Sequence, residues 1–252
     1  GQGERIVGAA LSTAGVSYAR LQREYPEEFA KVEPVIQNSI GREQAVALQP
    51  DFILAWKASF TPRWYGNTAW WQERGVNTYV IATANHVLKD ATVEDECRFI
   101  DDMGRIFDRK EQTDALLRDI RAELRVDEET MRGREQQTVL IVEVGEGDIL
   151  NYDEGWVVGD MVRRLGGRIP LTSKYIGEEE LISCDPDVIF VTYNDAYGKQ
   201  FAENFFRAVR FNSLRAVQNN RIHFVPVEYV YTPAFKTLDG IRAIRRGMYP
   251  DE

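Results

Sequence analysis

The chain has 252 residues, a net charge of −9 and 44% hydrophobic residues, enough apolar material for two ordinary cores and too much for a disordered segment. The negative balance argues against a nucleic-acid binder and against docking on anionic membranes, because both need clustered Lys and Arg. No uninterrupted apolar run reaches the roughly 20 residues of a membrane span. Cys97 and Cys184 sit in apolar-periodic stretches and read as buried thiols; their spacing leaves pairing open and does not fix the compartment. The chain shows no signal peptide and no lipobox cysteine and starts at Gly1, which reads as a processed or trimmed chain.

In chain order, three blocks are expected: residues 1–90 as one α/β lobe, 91–136 as a connector and 137–252 as a second α/β lobe. In the first, Arg5–Leu11, Phe52–Trp56 and Thr78–Thr83 are nearly continuously apolar, as buried parallel strands are. In the second, Val93, Cys97, Ile100, Met103, Phe107, Leu117, Ile120 and Leu124 recur at three- and four-residue steps among charged residues. That spacing predicts one long amphipathic helix, capped by Thr92 with Asp95, with a bend or break near Asp108–Glu111. As an inter-lobe connector such a helix would limit lobe closure. In the third block, strands are expected at Thr138–Val144, Val188–Thr192 and Arg221–Val227. Helices are expected at Val157–Leu165, ended by Gly166-Gly167, at Phe201–Val217 and at Thr237–Arg246.

One pattern occurs twice. Gly41-Arg-Glu43 leads through Gln-Pro50-Asp51 into Phe-Ile-Leu-Ala-Trp56, and Gly177-Glu-Glu179 leads through Asp-Pro186-Asp187 into Val-Ile-Phe-Val-Thr192. Each copy reads as a short helix, a break imposed by Pro, and a buried strand. The duplication predicts two similar Rossmann-like lobes with mainly parallel sheets and a ligand cleft between them.

These segments resemble the helical-backbone substrate-binding proteins of bacterial ABC importers, which take up ferric siderophores, haem and vitamin B12. Gly1-Gln-Gly3-Glu4-Arg5-Ile6-Val7-Gly8 is similar to that family's Gly-x-Gly-Asp-Arg-Val-Val-Gly entry to its second strand. Tyr25-Pro26-Glu27-Glu28 is similar to its Tyr-Pro-Pro-Glu turn, and Ser213–Pro226 to the segment before its last strand and helix. The resemblance spans nearly the whole chain. In the family a strand, a loop and a helix precede the Gly-x-Gly stretch, so an N-terminal element, and with it a ligand-contacting loop, is expected to be missing here. The resemblance implies a non-enzymatic, monomeric protein in the periplasm or on the outer membrane face, lipid-anchored through that missing segment or free. It implies no intrinsic cofactor and a cargo such as a ferric siderophore, haem or cobalamin. The implied partner is an ABC permease dimer with its ATPase, docked through one acidic residue per lobe. Glu179 matches the second-lobe position; Glu43 is its counterpart in the repeat, with Glu73 as a rival. Without the resemblance, both read as ordinary first-turn charges favoured by the helix dipole.

In open α/β sheets ligands sit beyond the carboxyl ends of the strands. After Phe52–Ala55 come six aromatics between Trp56 and Trp71, and aromatic faces suit a large flat ligand. Trp56, Arg63, Trp64 and Tyr65 are the ligand candidates; Trp70 and Trp71 read as packing of the next helix. In the second lobe a glycine-containing loop leads to Asn151, Tyr152 and Trp156. Tyr193, Asn194 and Tyr197 follow one strand, and Glu228, Tyr229 and Tyr231 another. Tyr phenolate can ligate ferric or haem iron, while each tyrosine singly reads as a rim or core residue with a bonded hydroxyl.

Enzyme readings are weak. His86 and His223 lack zinc or triad spacing, and no complete phosphate-binding glycine loop is present. Two alternatives stay open: a two-lobed metal-cluster or tetrapyrrole-related enzyme or scaffold, and a binder of a smaller solute or metal ion. Two cysteines speak against the first and scarce His against the second.

Overall fold

The computed structural model describes residues 2–12, 15–37, 40–84, 87–125 and 135–250. The chain divides into two units, 1–88 and 89–252. His86 and residues 126–134 of the expected connector lie outside the described residues.

The first unit runs β1 (Ala9–Leu11), α1 (Val16–Glu24), α2 (Pro26–Phe29), β2 (Val35–Gln37), α3 (Arg42–Ala47), β3 (Phe52–Trp56), α4 (Thr68–Gln72) and β4 (Asn77–Ile81). β1 pairs parallel with β2, and β3 parallel with β4, with Trp56 opposite Ile81. β1 is shorter than the apolar run from Arg5 suggests. Gly3–Arg5 form a 3-10 turn, and the Gly3 amide donates to the Glu28 carboxylate at 2.7 Å. The core centres on Ile40, Ala45 and Trp71, whose indole N–H donates to the Tyr65 carbonyl at 2.8 Å.

The second unit carries α5 (Val93–Ile106), α6 (Lys110–Glu123), β5 (Val139–Val144), β6 (Ile149–Asn151), α7 (Val157–Arg164), β7 (Tyr175–Ile176), α8 (Glu178–Cys184), β8 (Val188–Tyr193), α9 (Ala196–Phe206), α10 (Arg215–Gln218), β9 (Ile222–Pro226) and α11 (Thr237–Met248). Its sheet has the order β7-β6-β5-β8-β9. β5, β8 and β9 are parallel, whereas β6 and β7 join antiparallel, so the sheet is mixed. Val139, Leu140, Ile141, Val142, Ile189 and Phe190 are fully buried, as strands covered on both faces require. The helix expected over Phe201–Val217 is three pieces: α9, which starts earlier, a 3-10 turn at Val209–Phe211, and α10.

The expected break near Asp108–Glu111 is present, and it separates two helices where one long helix was expected. α5 ends at Phe107, and Asp108 adopts φ +54°, the left-handed stop; the Arg109 amide closes back on the Gly104 carbonyl at 2.7 Å. α6 then returns antiparallel along α5, with Glu94 facing Arg121 at 3.5 Å and Asp101 facing Lys110 at 3.1 Å. Gly104 permits this approach, since a Cβ there would lie 2.1 Å from the Thr113 hydroxyl. Both helices belong to the second unit. The expected cap is present: the Thr92 amide donates to Asp95 at 2.8 Å, and the Asp95 amide to the Thr92 hydroxyl at 3.3 Å. Buried Asp160 of α7 adds a bond from the Val93 amide at 2.9 Å, while Arg163 and Arg164 balance its charge. Cys97 is buried and Cys184 half-buried, and both are free thiols. Burial pushes Cys97 up to about 11, which leaves it unreactive at neutral pH.

The duplicated pattern folds the same way twice. Gly41 and Gly177 are the N-caps of α3 and α8, and their amides donate to Gln44 at 3.2 Å and Glu180 at 2.9 Å. Gln49 and Asp185, one residue before each proline, are left-handed at φ 51° and 42°.

Two groups in the second unit make stability pH-dependent. His223 on β9 lies against Phe190 at 5.4 Å, and burial, then Arg221, pushes it below its usual value near 6.5. The unfolded chain therefore takes up this proton first, so stability is full above about pH 6.5 and declines below it. Burial raises the Asp187 carboxyl, but the Thr138 hydroxyl and amide and Arg215 more than offset it and hold it below the carboxylate range; its contribution is lost only at lower pH. Thermal midpoints should fall between pH 7 and 5, and His223→Gln should flatten that part of the profile while leaving the drop below about pH 4.

Candidate functional site

In the first unit Trp56 ends β3 and is 44% exposed. The segment after it is bound into a tight loop: the Tyr65 amide donates to the Ser59 carbonyl at 3.0 Å, and the Gly66 amide to the Thr61 carbonyl at 2.8 Å. Exposed Arg63 lays its guanidinium 5.0 Å from the Trp64 ring centre. Tyr65 is half-buried with its ring edge against Phe60 at 5.9 Å, and burial pushes its phenol up. Tyr65 thus serves partly as packing, while Trp56 and Arg63 are exposed and Trp64 is half-buried beneath the Arg63 guanidinium. Trp71 is core and Trp70 is half-buried, as expected of residues packing α4, which starts at Thr68.

The second unit sorts its candidates differently. Asn151, Tyr152 and Trp156 were expected to line a cleft from a loop, but they are 0%, 2% and 8% exposed. The reason is β6: the chain turns at Gly145–Asp148 and pairs Val142 with Asn151, which swings these residues inward. Asn151 donates to the Leu171 and Ser173 carbonyls at 2.9 and 3.0 Å, anchoring that segment. Trp156 is wedged between Tyr152 at 5.0 Å and Tyr231 at 5.5 Å. The Tyr152 hydroxyl donates to Glu143 at 2.8 Å, and burial, then the Glu143 charge, pushes its phenol up. These three residues build the unit and do not present a contact face.

Tyr193, Asn194 and Tyr229 stay at the strand ends, half-buried or exposed, and half-buried Tyr231 closes the aromatic stack. Burial, then Tyr229 and Glu228, pushes the Tyr193 phenol up, which favours the neutral hydroxyl. Sequence reasoning missed Phe235, which lies beyond β9 and is 57% exposed; Tyr197, after β8, is 71% exposed. It also missed Glu143, the residue before last of β5, where a charge interrupting an apolar strand was the available signal.

Glu43 and Glu179 are both exposed at the second position of their helices. Glu43 borders a groove of about 520 Å³ with Arg42, Val46, Trp70 and Arg74, and Glu179 a smaller one of about 330 Å³ with Leu171 and Cys184. The rival Glu73 lies 3.8 Å from Arg74. Among the described residues, no group of three or more His, Cys, Asp or Glu is placed to hold a metal ion. Nor is any helix there long and apolar enough to cross a membrane.

Open strand ends rimmed by exposed aromatics are the arrangement of an α/β solute-binding protein. The family model described as "Periplasmic binding protein" matches residues 1–229, and the chain belongs to that family. It is similar to an uncharacterised ABC transporter substrate-binding lipoprotein, YvrC, of Bacillus subtilis (strain 168), with 21% identity over the whole chain and 75% of the relative. A periplasmic binding protein from Veillonella parvula DSM 2008 superposes with a TM-score of 0.81 at 22% identity, over 97% of this chain and 84% of that one. The structure of an ABC-type Fe3+-hydroxamate transport system from Saccharomonospora viridis DSM 43017 does so at 0.69 and 17% identity, over 96% and 93%. The chain is accordingly a substrate-binding protein of an ABC transporter and is not an enzyme; proteins of this class work with a permease and its ATPase.

The Tyr229 turn rests directly on α11, where a Cβ at Gly240 would lie 2.0 Å from the Tyr229 carbonyl oxygen. Gly240→Val should displace that turn and cost about 1–3 kcal/mol, read by denaturant unfolding.

Proposed function

We propose that the protein captures a metal chelate or a tetrapyrrole-like compound, a ferric siderophore, haem or a cobalamin, at the strand ends of its units and delivers it to the permease. The observation that carries this reading is the set of large rings left open there: Trp56 in the first unit, Tyr197 and Phe235 in the second, at 44%, 71% and 57% exposure. Aromatic faces of this size suit a large, flat, partly apolar cargo. Arg63 and Trp64, with Tyr193, Asn194 and Tyr229, complete the contact set. The working place of such a protein is the periplasm or the outer face of the cell membrane, with or without a lipid anchor.

Calorimetric titration with haemin, cyanocobalamin and ferric siderophores tests the reading. One of them should saturate at micromolar concentration or below, and Trp56→Ala should weaken it about ten-fold or more. If none binds, the cargo reading falls.

Glu43 and Glu179 are the docking carboxylates in this reading, one in each unit, each without a hydrogen bond or ion pair among the described residues. Glu43→Arg and Glu179→Arg should abolish permease-dependent uptake in proteoliposomes while cargo affinity stays within about two-fold, since docking charges act across the interface and not on the cargo. Unchanged uptake in both variants would remove the docking assignment.

A further inference from the structure

Glu143 lies near the carboxyl end of β5, half-buried, and both its oxygens are held. One accepts the Tyr152 hydroxyl and the other the Asn194 side-chain amide, each at 2.8 Å. Neither donor carries charge, and among the described residues no Lys, Arg or His comes within ion-pair distance of Glu143. Three other shielded carboxylates of this unit are matched by cations: Asp160 by Arg163 and Arg164, Asp187 by Arg215, Glu123 by Arg242 and Arg245. Taking a carboxylate partly out of water without a counter-charge is unfavourable. Two neutral donors orient it and offset part of that cost but leave its charge unbalanced. The Tyr152 ring that aims one donor is itself fixed by Trp156, so the carboxylate is pre-positioned. Its location is the strand-end edge, opposite Thr192 of β8 and beside Asn194.

We propose that Glu143 receives a cationic group of the cargo, an ammonium or guanidinium arm, and so selects a chelate with a basic substituent over one rich in carboxylates or catecholates. The inference rests on the importer reading and deepens it by naming the charge of the cargo. Cargo binding would supply the counter-ion that the fold leaves out.

The probes are ferrioxamine B, a ferric hydroxamate with a free terminal ammonium, and its N-acetyl derivative, in which a neutral acetamide replaces that ammonium. Titrated by calorimetry, the native protein should bind ferrioxamine B about ten-fold more tightly, the scale of one charge-assisted hydrogen bond. Glu143→Gln keeps one acceptor oxygen and turns the other into an amide N–H that the Tyr152 hydroxyl oxygen or a flipped Asn194 side-chain carbonyl accepts, so it should preserve the fold and bind both chelates equally. Equal binding by the native protein, or a preference that survives Glu143→Gln, overturns the assignment. Binding of haemin and neither chelate overturns it too while leaving the importer reading intact. No binding of these chelates, haemin or cyanocobalamin removes both.

Discussion

Parallel pairing is the constraint on which the rest depends. A chain that leaves a strand at its carboxyl end must cross back to start the next parallel strand, so every exit turn gathers at one edge of the sheet. In the second unit β5, β8 and β9 obey this, and their exits deliver Glu143, Tyr193, Asn194 and Tyr229 to one edge. In the first unit the exit of β3 delivers Trp56 and the Arg63–Trp64 loop. The chemistry of the site is thus set by the residues at and just beyond each strand's carboxyl end.

The same edge shows how packing and exposure are divided. β6 runs antiparallel to β5, so the chain beyond the β5 exit folds back as structure and buries Asn151, Tyr152 and Trp156. That burial gives the edge its rigidity. The buried tyrosine orients a carboxylate, and the buried tryptophan braces the tyrosine from one side and Tyr231 from the other. Residues that touch no cargo in this account still decide where the contact groups point. Thr92 and Asp95 of α5, Asp160 of α7 and Glu180 of α8, by contrast, are consumed by caps and ion pairs that simply close the fold.

Much of this was legible in the sequence where a local rule was strong. Phe52–Trp56 read as a strand because a continuous apolar run bounded by Pro-Asp has few other uses, and it is β3 to the residue. The repeat was legible because proline and glycine punctuate it at equal offsets; the left-handed Gln49 and Asp185 were not, since neither is glycine. The break between α5 and α6 was sensed near Asp108, but the hairpin these helices form depends on Gly104 meeting Thr113, a tertiary contact. β6 and β7, three and two residues long, carry too little pattern to read. For the site, the exposed Trp56 was expected from its place at the end of a strand. Glu143 stayed hidden because its significance lies in partners 9 and 51 residues away and in the cation that is absent among them.

Hydrogen–deuterium exchange with and without bound cargo tests the central claim most directly, because it locates contact without presuming which chelate is right. Backbone protection should rise in residues 56–66, 193–197 and 228–236, the segments that leave the strand ends. Protection that appears instead around the amino ends of β5 and β8, or nowhere in those segments, would contradict the account.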